Sequence, residues 1–279
     1  MIIAVASGKG GTGKTTFAVN LALSLDKASI LDCDVEEPNA HTLLHPEALE
    51  PKLVFLPTPK VDTEKCNLCG ECSKFCKFNA IFVGKNVLVY SEMCHSCGGC
   101  TLACPEEAIT EVNREVGKIY TSSIGSLRLV YGELNIGEPI ATTIIKAVKR
   151  EINLAEINIL DAPPGTACPV IETVQDADYL VLVTEPTPFG LHDLIMAVDS
   201  VKEIGIPYGV VVNRAGIGDD KVTDYCREQG IPILLEIPFN RRIAELYSDG
   251  VPFIKEMPEW KEKLHVLYLQ IKEVVESGR

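Results

Sequence analysis

At 279 residues, 46% of them apolar, the chain is long enough to bury one large α/β core and carry a small insert, and with 23% charged residues and no low-complexity tract it is not a disordered chain. A formal net charge of -13 disfavours a nucleic-acid binder, whose phosphate contacts require clustered Lys and Arg. Eleven cysteines, with no secretory signal and no stretch near the roughly 20 apolar residues of a membrane span, point to metal ligands in a cytoplasmic protein rather than to disulfides.

The first element is a short buried strand, Ile2 to Ala6. A Gly-rich turn follows, Gly8-Lys9-Gly10-Gly11-Thr12-Gly13-Lys14-Thr15, and then a helix over about 14–25, in which Phe17, Ala18, Leu21 and Leu25 recur at helical spacing. A second strand over 29–33 ends in Asp32-Cys33-Asp34. This is one β–α–β unit, parallel and right-handed. Its turn fits G-x-x-x-x-G-K-[ST], set between a strand and a helix. The chemistry explains the residues. Glycines let backbone N–H groups point inward around phosphates, Lys14 neutralises β/γ charge, Thr15 is placed to ligate Mg²⁺, and the helix adds its positive N-terminal end.

The pattern then changes. Pro57 and Pro59 mark the entry to a segment, 61–118, that holds eight of the eleven cysteines in two runs. These are Cys66-x2-Cys69-x2-Cys72-x3-Cys76 and Cys94-x2-Cys97-x2-Cys100-x3-Cys104-Pro105, the one internal repeat of the sequence. Two such runs resemble the bacterial two-cluster ferredoxin signature. The resemblance implies two [4Fe–4S] clusters with the fourth cysteine of each run crossing over. Cys66, Cys69 and Cys72 then share a cluster with Cys104, and Cys94, Cys97 and Cys100 share one with Cys76. Lys77 stands where the signature has proline in the first run, which leaves every ligand in place. Two Cys₄ zinc sites are the alternative, but zinc sites normally show paired CxxC knuckles rather than triplets with a distant fourth ligand.

A strand over about 118–122 restarts the α/β rhythm. Continuous apolar runs over 157–160, 179–184, 208–212 and 233–235 read as buried parallel strands, with helical patterns over 142–151, 191–204 and 220–229. The expected architecture is a doubly wound, mostly parallel α/β sheet, formed by 1–60 and 119–279, interrupted by a small α+β ferredoxin-like domain over 61–118. The last helical pattern, 260–275, puts Trp260, Leu264, Leu267 and Ile271 on one face. Its polar face mixes Lys with Glu, so it reads as a core-covering helix, since interfacial helices are predominantly basic.

Lys9-Gly10-Gly11-Thr12-Gly13-Lys14-Thr15-Thr16 resembles the deviant Walker A loop of the MinD, ParA, Mrp and nitrogenase iron-protein group. The resemblance implies that residues 8 and 10–16 bind ATP, and that two copies close around it with Lys9 of one reaching the nucleotide of the other. Hydrolysis would then depend on assembly, much as with an arginine finger. Asp34 falls where the family keeps the aspartate that orients or deprotonates the attacking water, with Asp32 as a support of the magnesium shell. Ile159-Leu160-Asp161-Ala162-Pro163-Pro164-Gly165 is similar to the second switch, where Asp161 holds Mg²⁺ through water and Gly165 bonds the γ-phosphate. An aspartate after a buried strand is otherwise a common helix cap. Val211-Val212-Asn213-Arg214 and Ile237-Pro238-Phe239-Asn240 resemble the base-side loops, with Asn213 and Pro238 as the contacts. No N-K-x-D guanine signature is present, which favours ATP.

Cys33 and Cys226 read as packed thiols. Cys168, seven residues after Asp161, lies near the place where the nitrogenase iron protein keeps a cluster ligand. With no second cysteine outside the insert, packing at a helix start is the preferred reading. Three functions are compatible with this set: an ATP-gated electron donor to a redox partner, an iron–sulfur or metal-cofactor assembly ATPase, and a MinD- or ParA-like positioning protein with structural or redox-sensing clusters. The first is preferred. The second lacks the C-terminal CxxC of Mrp-like carriers, and the third is weakened by the acidic charge and the mixed terminal helix.

Overall fold

The computed structural model describes residues 1–47 and 51–278. Its strands are β1 (Ile2–Ala6), β2 (Ala28–Asp32), β3 (Lys52–Val61), β4 (Ile81–Val83), β5 (Val87–Val89), β6 (Ile109–Ile124), β7 (Leu127–Leu134), β8 (Ile157–Asp161), β9 (Tyr179–Thr184), β10 (Tyr208–Ala215) and β11 (Ile233–Pro238). Nine of them form one sheet in the order β11-β10-β9-β1-β8-β2-β7-β6-β3. All pairs from β11 to β7 are parallel, and the last two, β7 with β6 and β6 with β3, are antiparallel.

The parallel strands are apolar along their length because helices cover both faces. Along β1, Ile3 and Val5 pack into one layer and Ala4 and Ala6 into the other. The first layer is completed by Phe17 and Leu21 of helix Lys14–Leu23 and by Trp260, Leu264, Leu267 and Ile271 of helix Glu259–Ser277. The second is completed by Ile144 of helix Thr142–Lys149, Val170 of helix Cys168–Val174, Leu194 of helix Pro188–Ile204 and Val222 of helix Lys221–Gln229. The doubly wound, mostly parallel sheet expected from the sequence is the fold observed. Among the described residues no helix is long and apolar enough to cross a membrane.

Three features differ from the sequence reading. Pro57 and Pro59, read as the entry to the cysteine segment, lie within the strand that leads to it, β3, opposite Asn113 and Glu111 of β6. They are tolerated because β3 is the sheet edge, where a missing N–H donor costs no ladder bond. The strand expected over 118–122 is part of a 16-residue strand that begins at Ile109. It pairs with β7, which the sequence did not signal. Position 118, the expected domain boundary, therefore lies mid-strand. Gly117 is there for packing: a Cβ would come within 2.3 Å of the Glu133 carbonyl oxygen and 2.7 Å of Ile144.

Residues 62–108 fill the connection between β3 and β6. They form the β4–β5 hairpin and two short helices, Glu71–Phe75 and Gly99–Leu102. Their apolar core is small, built on Cys72, Ile81 and Ile109 with Val61, Val83, Val87 and Val89 packed against it. Such a core is thin for independent stability.

The C-terminal helix covers the core. Trp260 meets Phe253 edge-on at 5.6 Å between ring centroids, and Leu264 is fully buried. Leu264→Ala is expected to cost about 2–5 kcal/mol in denaturant unfolding. A change below 0.5 kcal/mol would place this face outside the core.

Candidate nucleotide site and cysteine centres

β1 delivers the chain into the glycine turn, and helix Lys14–Leu23 starts at its far end. Two glycines are required by space. Gly13 has φ 87° and lies against the Asn213 amide, which would be 2.3 Å from a Cβ. At Gly8 a Cβ would be 2.2 Å from the Asp193 carbonyl oxygen, so the missing side chain lets helix Pro188–Ile204 pass under the turn. Gly10, Gly11, Thr12, Gly13, Lys14, Thr15 and Thr16 line a cleft of about 430 Å³. Asp34, Glu37, Asn39 and Pro164 border it as well, and so do Asn213, Arg214 and an apolar group of Ile237, Pro238, Phe239, Tyr247 and Phe253. Gly8 and Lys9 border a smaller hollow beside helix Pro188–Ile204.

Charge is concentrated beneath the turn. Lys14 Nζ lies 3.0 Å from Asp161 Oδ1, with both side chains buried. Burial opposes the lysine charge, but Asp161, Asp32 and Asp34 outweigh it and hold Lys14 above its ordinary value. The other Asp161 oxygen is buried without a hydrogen-bond partner. An orphaned acceptor of this kind suits a hydrated Mg²⁺; Asp161 lies beneath the cleft rather than on its wall, whereas Thr15 borders it. Asp32 does not border the cleft. Its carboxylate accepts the backbone N–H groups of Asp34, Asn39 and Ala40 at 2.9–3.0 Å and so shapes the loop after β2. Burial, then the Asp161 charge, pushes Asp32 up, against the pull of those bonds and Lys14. Asp34 faces the cleft, and burial raises it to about 6 despite Lys14. The Gly165 N–H donates to the Ser7 carbonyl at 3.0 Å, tying the 161–165 loop to the turn.

At the other end, the Asn213 amide donates to the Thr12 carbonyl at 2.7 Å, and Arg214 Nη2 donates to the Gly11 carbonyl at 3.2 Å. Arg214 also pairs with Glu185 at 2.8 Å, and Glu185 holds Lys9 at 2.6 Å. Burial of Glu185 favours its neutral form, yet the two cations keep it below its usual range. In the sequence Arg214 stands out only as the last residue of the base-side loop after Asn213, and Glu185 not at all. The available signal was an acidic residue at the end of buried β9, in Thr184-Glu185-Pro186.

The cysteines of the insert sort into two hollows. Cys66, Cys69, Cys72 and Cys104 border one with Val61 and Ile109. Cys76, Cys94, Cys97 and Cys100 border the other with Phe75, Phe78, His95, Pro59 and Glu111. Backbone N–H groups of Ala80, Ser96 and Ala108 donate to the sulfurs of Cys76, Cys94 and Cys104 at 3.3–3.4 Å. The donor set, four soft thiols with N–H···S support, fits an iron–sulfur cluster in each hollow. Among the described residues no three His, Cys, Asp or Glu side chains are grouped to hold a single metal ion. Cys33 and Cys226 are buried, and burial pushes the Cys226 thiol up to about 11. Cys168 is exposed at the start of its helix.

Lys14→Met leaves Asp161 buried without its cation and is expected to cost about 3–5 kcal/mol of stability in chemical denaturation. The double variant Lys14→Met, Asp161→Asn should recover part of that loss. If the double variant is no more stable than Lys14→Met, the pair is not what the site rests on.

Residues 3–253 match the CbiA family model, described as the CobQ/CobB/MinD/ParA nucleotide binding domain. An uncharacterized protein of Methanocaldococcus jannaschii is 35% identical over 261 residues, covering 91% of this chain and 92% of that one. An iron-sulfur cluster carrier protein of Pyrococcus horikoshii is 26% identical over 305 residues, covering 99% and 88%. The fold is similar to that of the septum site-determining protein MinD complexed with Mg-ADP from Pyrococcus horikoshii, with a TM-score of 0.58 and 20% identity over 98% of this chain and 95% of that one. With the glycine turn, its buried lysine and the flanking aspartates in place, the chain belongs to the CobQ/CobB/MinD/ParA nucleotide-binding family and is a P-loop ATPase.

Proposed function

We propose that the chain is an ATP-gated iron–sulfur protein, in which nucleotide closes two copies face to face and an insert with two [4Fe–4S] clusters passes electrons to a partner protein. The observation that carries this reading is the sorting of eight thiols into two sets of four, on a segment built into the sheet that carries the nucleotide cleft.

In this reading the backbone N–H groups of residues 10–16 surround the phosphates, and Lys14 exchanges its Asp161 partner for β/γ oxygens. Thr15 and Asp161 hold Mg²⁺, which supplies charge neutralisation at the phosphates. Gly8 lets the turn sit close on its supporting helix, and Gly165 brings the 161–165 loop to the γ-phosphate. Asn213 and Pro238 stand at the base end, beside Ile237, Phe239 and Tyr247, whose apolar surface suits an adenine ring. Lys9 must leave Glu185 to reach across to the second copy, so pairing of two chains competes with an ion pair already made within one. Asp34 takes or orients the proton of the attacking water as a carboxylate. Its raised value means that it is protonated below about pH 6 and ionised above it. Hydrolysis is therefore expected to rise with pH through about 6. Asp34→Asn should lower kcat by about 10²–10⁴ and remove that rise. An unchanged pH profile in this variant would move the base elsewhere.

When bound, the clusters supply one-electron redox centres. Cys66, Cys69, Cys72 and Cys104 hold one, and Cys76, Cys94, Cys97 and Cys100 the other. A second reading, delivery of a cluster to an acceptor, is favoured by the iron-sulfur cluster carrier name of the Pyrococcus horikoshii relative. One anaerobic experiment separates them. Protein isolated without air should hold about eight iron atoms per chain, and Cys76→Ser about half of that. During ATP turnover the dithionite-reduced protein should lose its reduced-cluster signal to an oxidised acceptor while keeping its iron. Iron moving to an apo-acceptor supports delivery instead, and a chain that holds no iron overturns both readings.

A further inference from the structure

A continuous set of contacts runs from the loop that carries Asp34 to the strand that carries the insert. The Leu134 N–H, at the end of β7, donates to the carbonyl of Val35, next to Asp34, at 2.8 Å. The following Asn135 N–H donates to the Val116 carbonyl of β6 at 3.0 Å, and the Glu138 N–H donates to the Asn135 carbonyl at 3.1 Å. The Glu138 carboxylate then grips Arg114 of β6 through both guanidinium ends, with Nη2 to Oε2 at 2.9 Å. Both side chains are partly buried, at 20% and 11% exposure. Arg114 Nε is buried and has no hydrogen-bond partner. Glu111, three residues along β6 from Arg114, and its partner Pro59 of β3 border the hollow of Cys76, Cys94, Cys97 and Cys100. A half-buried cation with one buried donor unmet, on the strand that leads into the hollow of Cys76, Cys94, Cys97 and Cys100, is not explained by the ion pair alone.

We propose that the Arg114–Glu138 pair is the joint through which the Asp34 loop acts on the cluster held by Cys76, Cys94, Cys97 and Cys100. The inference rests on the reading of the insert as a two-cluster ferredoxin. Arg114 is a positioning residue, and it remains a cation throughout. Its charge favours the reduced, more negative state of a nearby cluster, and Glu138 offsets that charge while paired. Movement of Asp34 toward a phosphate carries Val35, and with it the Leu134–Glu138 turn. The turn can then change how much of the Arg114 charge Glu138 cancels. Nucleotide state is thereby converted into redox poise without any residue of the cleft touching the cluster.

The test uses the full, cluster-loaded protein under anaerobic conditions. Its redox titration is followed by electron paramagnetic resonance with and without Mg²⁺ and a non-hydrolysable ATP analogue. In the parent protein the analogue should shift the midpoint of one cluster. Glu138→Gln should raise that midpoint without nucleotide and cut the analogue-induced shift to less than half. Arg114→Lys keeps the charge but not the two-pronged grip. It should stay nearer the parent midpoint than Glu138→Gln does and still lose the response. Amide hydrogen exchange gives a readout independent of iron. In the parent protein the analogue should alter exchange over both 134–138 and 109–117, and in Glu138→Gln over 134–138 alone. If the parent responds and both variants respond as fully, in potential and in exchange, the joint is overturned while the proposed function stands. If the parent holds iron but responds to nucleotide in neither measure, ATP gating itself fails.

Discussion

Three carboxylates and one ammonium meet at the carboxyl edge of the parallel sheet, and the neighbouring loops are arranged around them. Asp32 and Asp161 are fully buried, Asp34 is partly buried, and Lys14 is the cation placed among them. Parallel β1, β2 and β8 end side by side, so the glycine turn, the loop after β2 and the loop after β8 start at one place. Asp161 satisfies Lys14 and leaves one of its own oxygens unmet. That excess of buried negative charge is tolerable only with a cation beside it. It is also the arrangement most easily reorganised by a ligand that brings both a metal ion and phosphate charge.

The same loop after β2 has a second attachment. His41, in the helix that follows, stacks on Tyr131 of β7 at 4.9 Å, and Tyr131 stacks on Tyr120 of β6 at 4.7 Å. The loop is thus anchored at its far end by rings and at its near end by the Val35 carbonyl. Between these anchors Asp32 holds the backbone through three N–H groups. A ligand-driven change at Asp34 is therefore confined to a short stretch of chain, and its mechanical outlet is the end of β7.

The glycine turn and the cysteine octet were legible because their chemistry fixes residue types at short spacings. Phosphate needs converging N–H groups within one turn, and a cluster needs three thiols within one loop. The buried strands were legible for a similar reason, since two covered faces leave no polar positions. The β6–β7 hairpin was not. From Thr110 to Glu115 the strand is largely polar and exposed, and the glycine at 117, which sits inside it, reads from sequence as a break. The strand around Pro57 and Pro59 was hidden for the converse reason, because an edge position removes the penalty that makes proline a breaker elsewhere. The charged set of Lys9, Glu185 and Arg214 was not legible because its members lie far apart in sequence, 176 residues in the case of Lys9 and Glu185.

The insert hangs from two adjacent strands paired over ten positions, β3 and β6, rather than from a flexible tether. A ribbon of this kind twists readily, and from its last pairing with β7 at Gly117 to Ile109 it spans roughly 25 Å at ~3.3 Å per residue, held to the body on the way by Arg114 and Val116. It behaves as a crank arm. A rotation of about 5° at its root would sweep the tip by roughly 2 Å over that length. An adjustment too small to disturb the packing of the body therefore becomes, at the thiols, a displacement comparable with the tolerance of a docked protein surface.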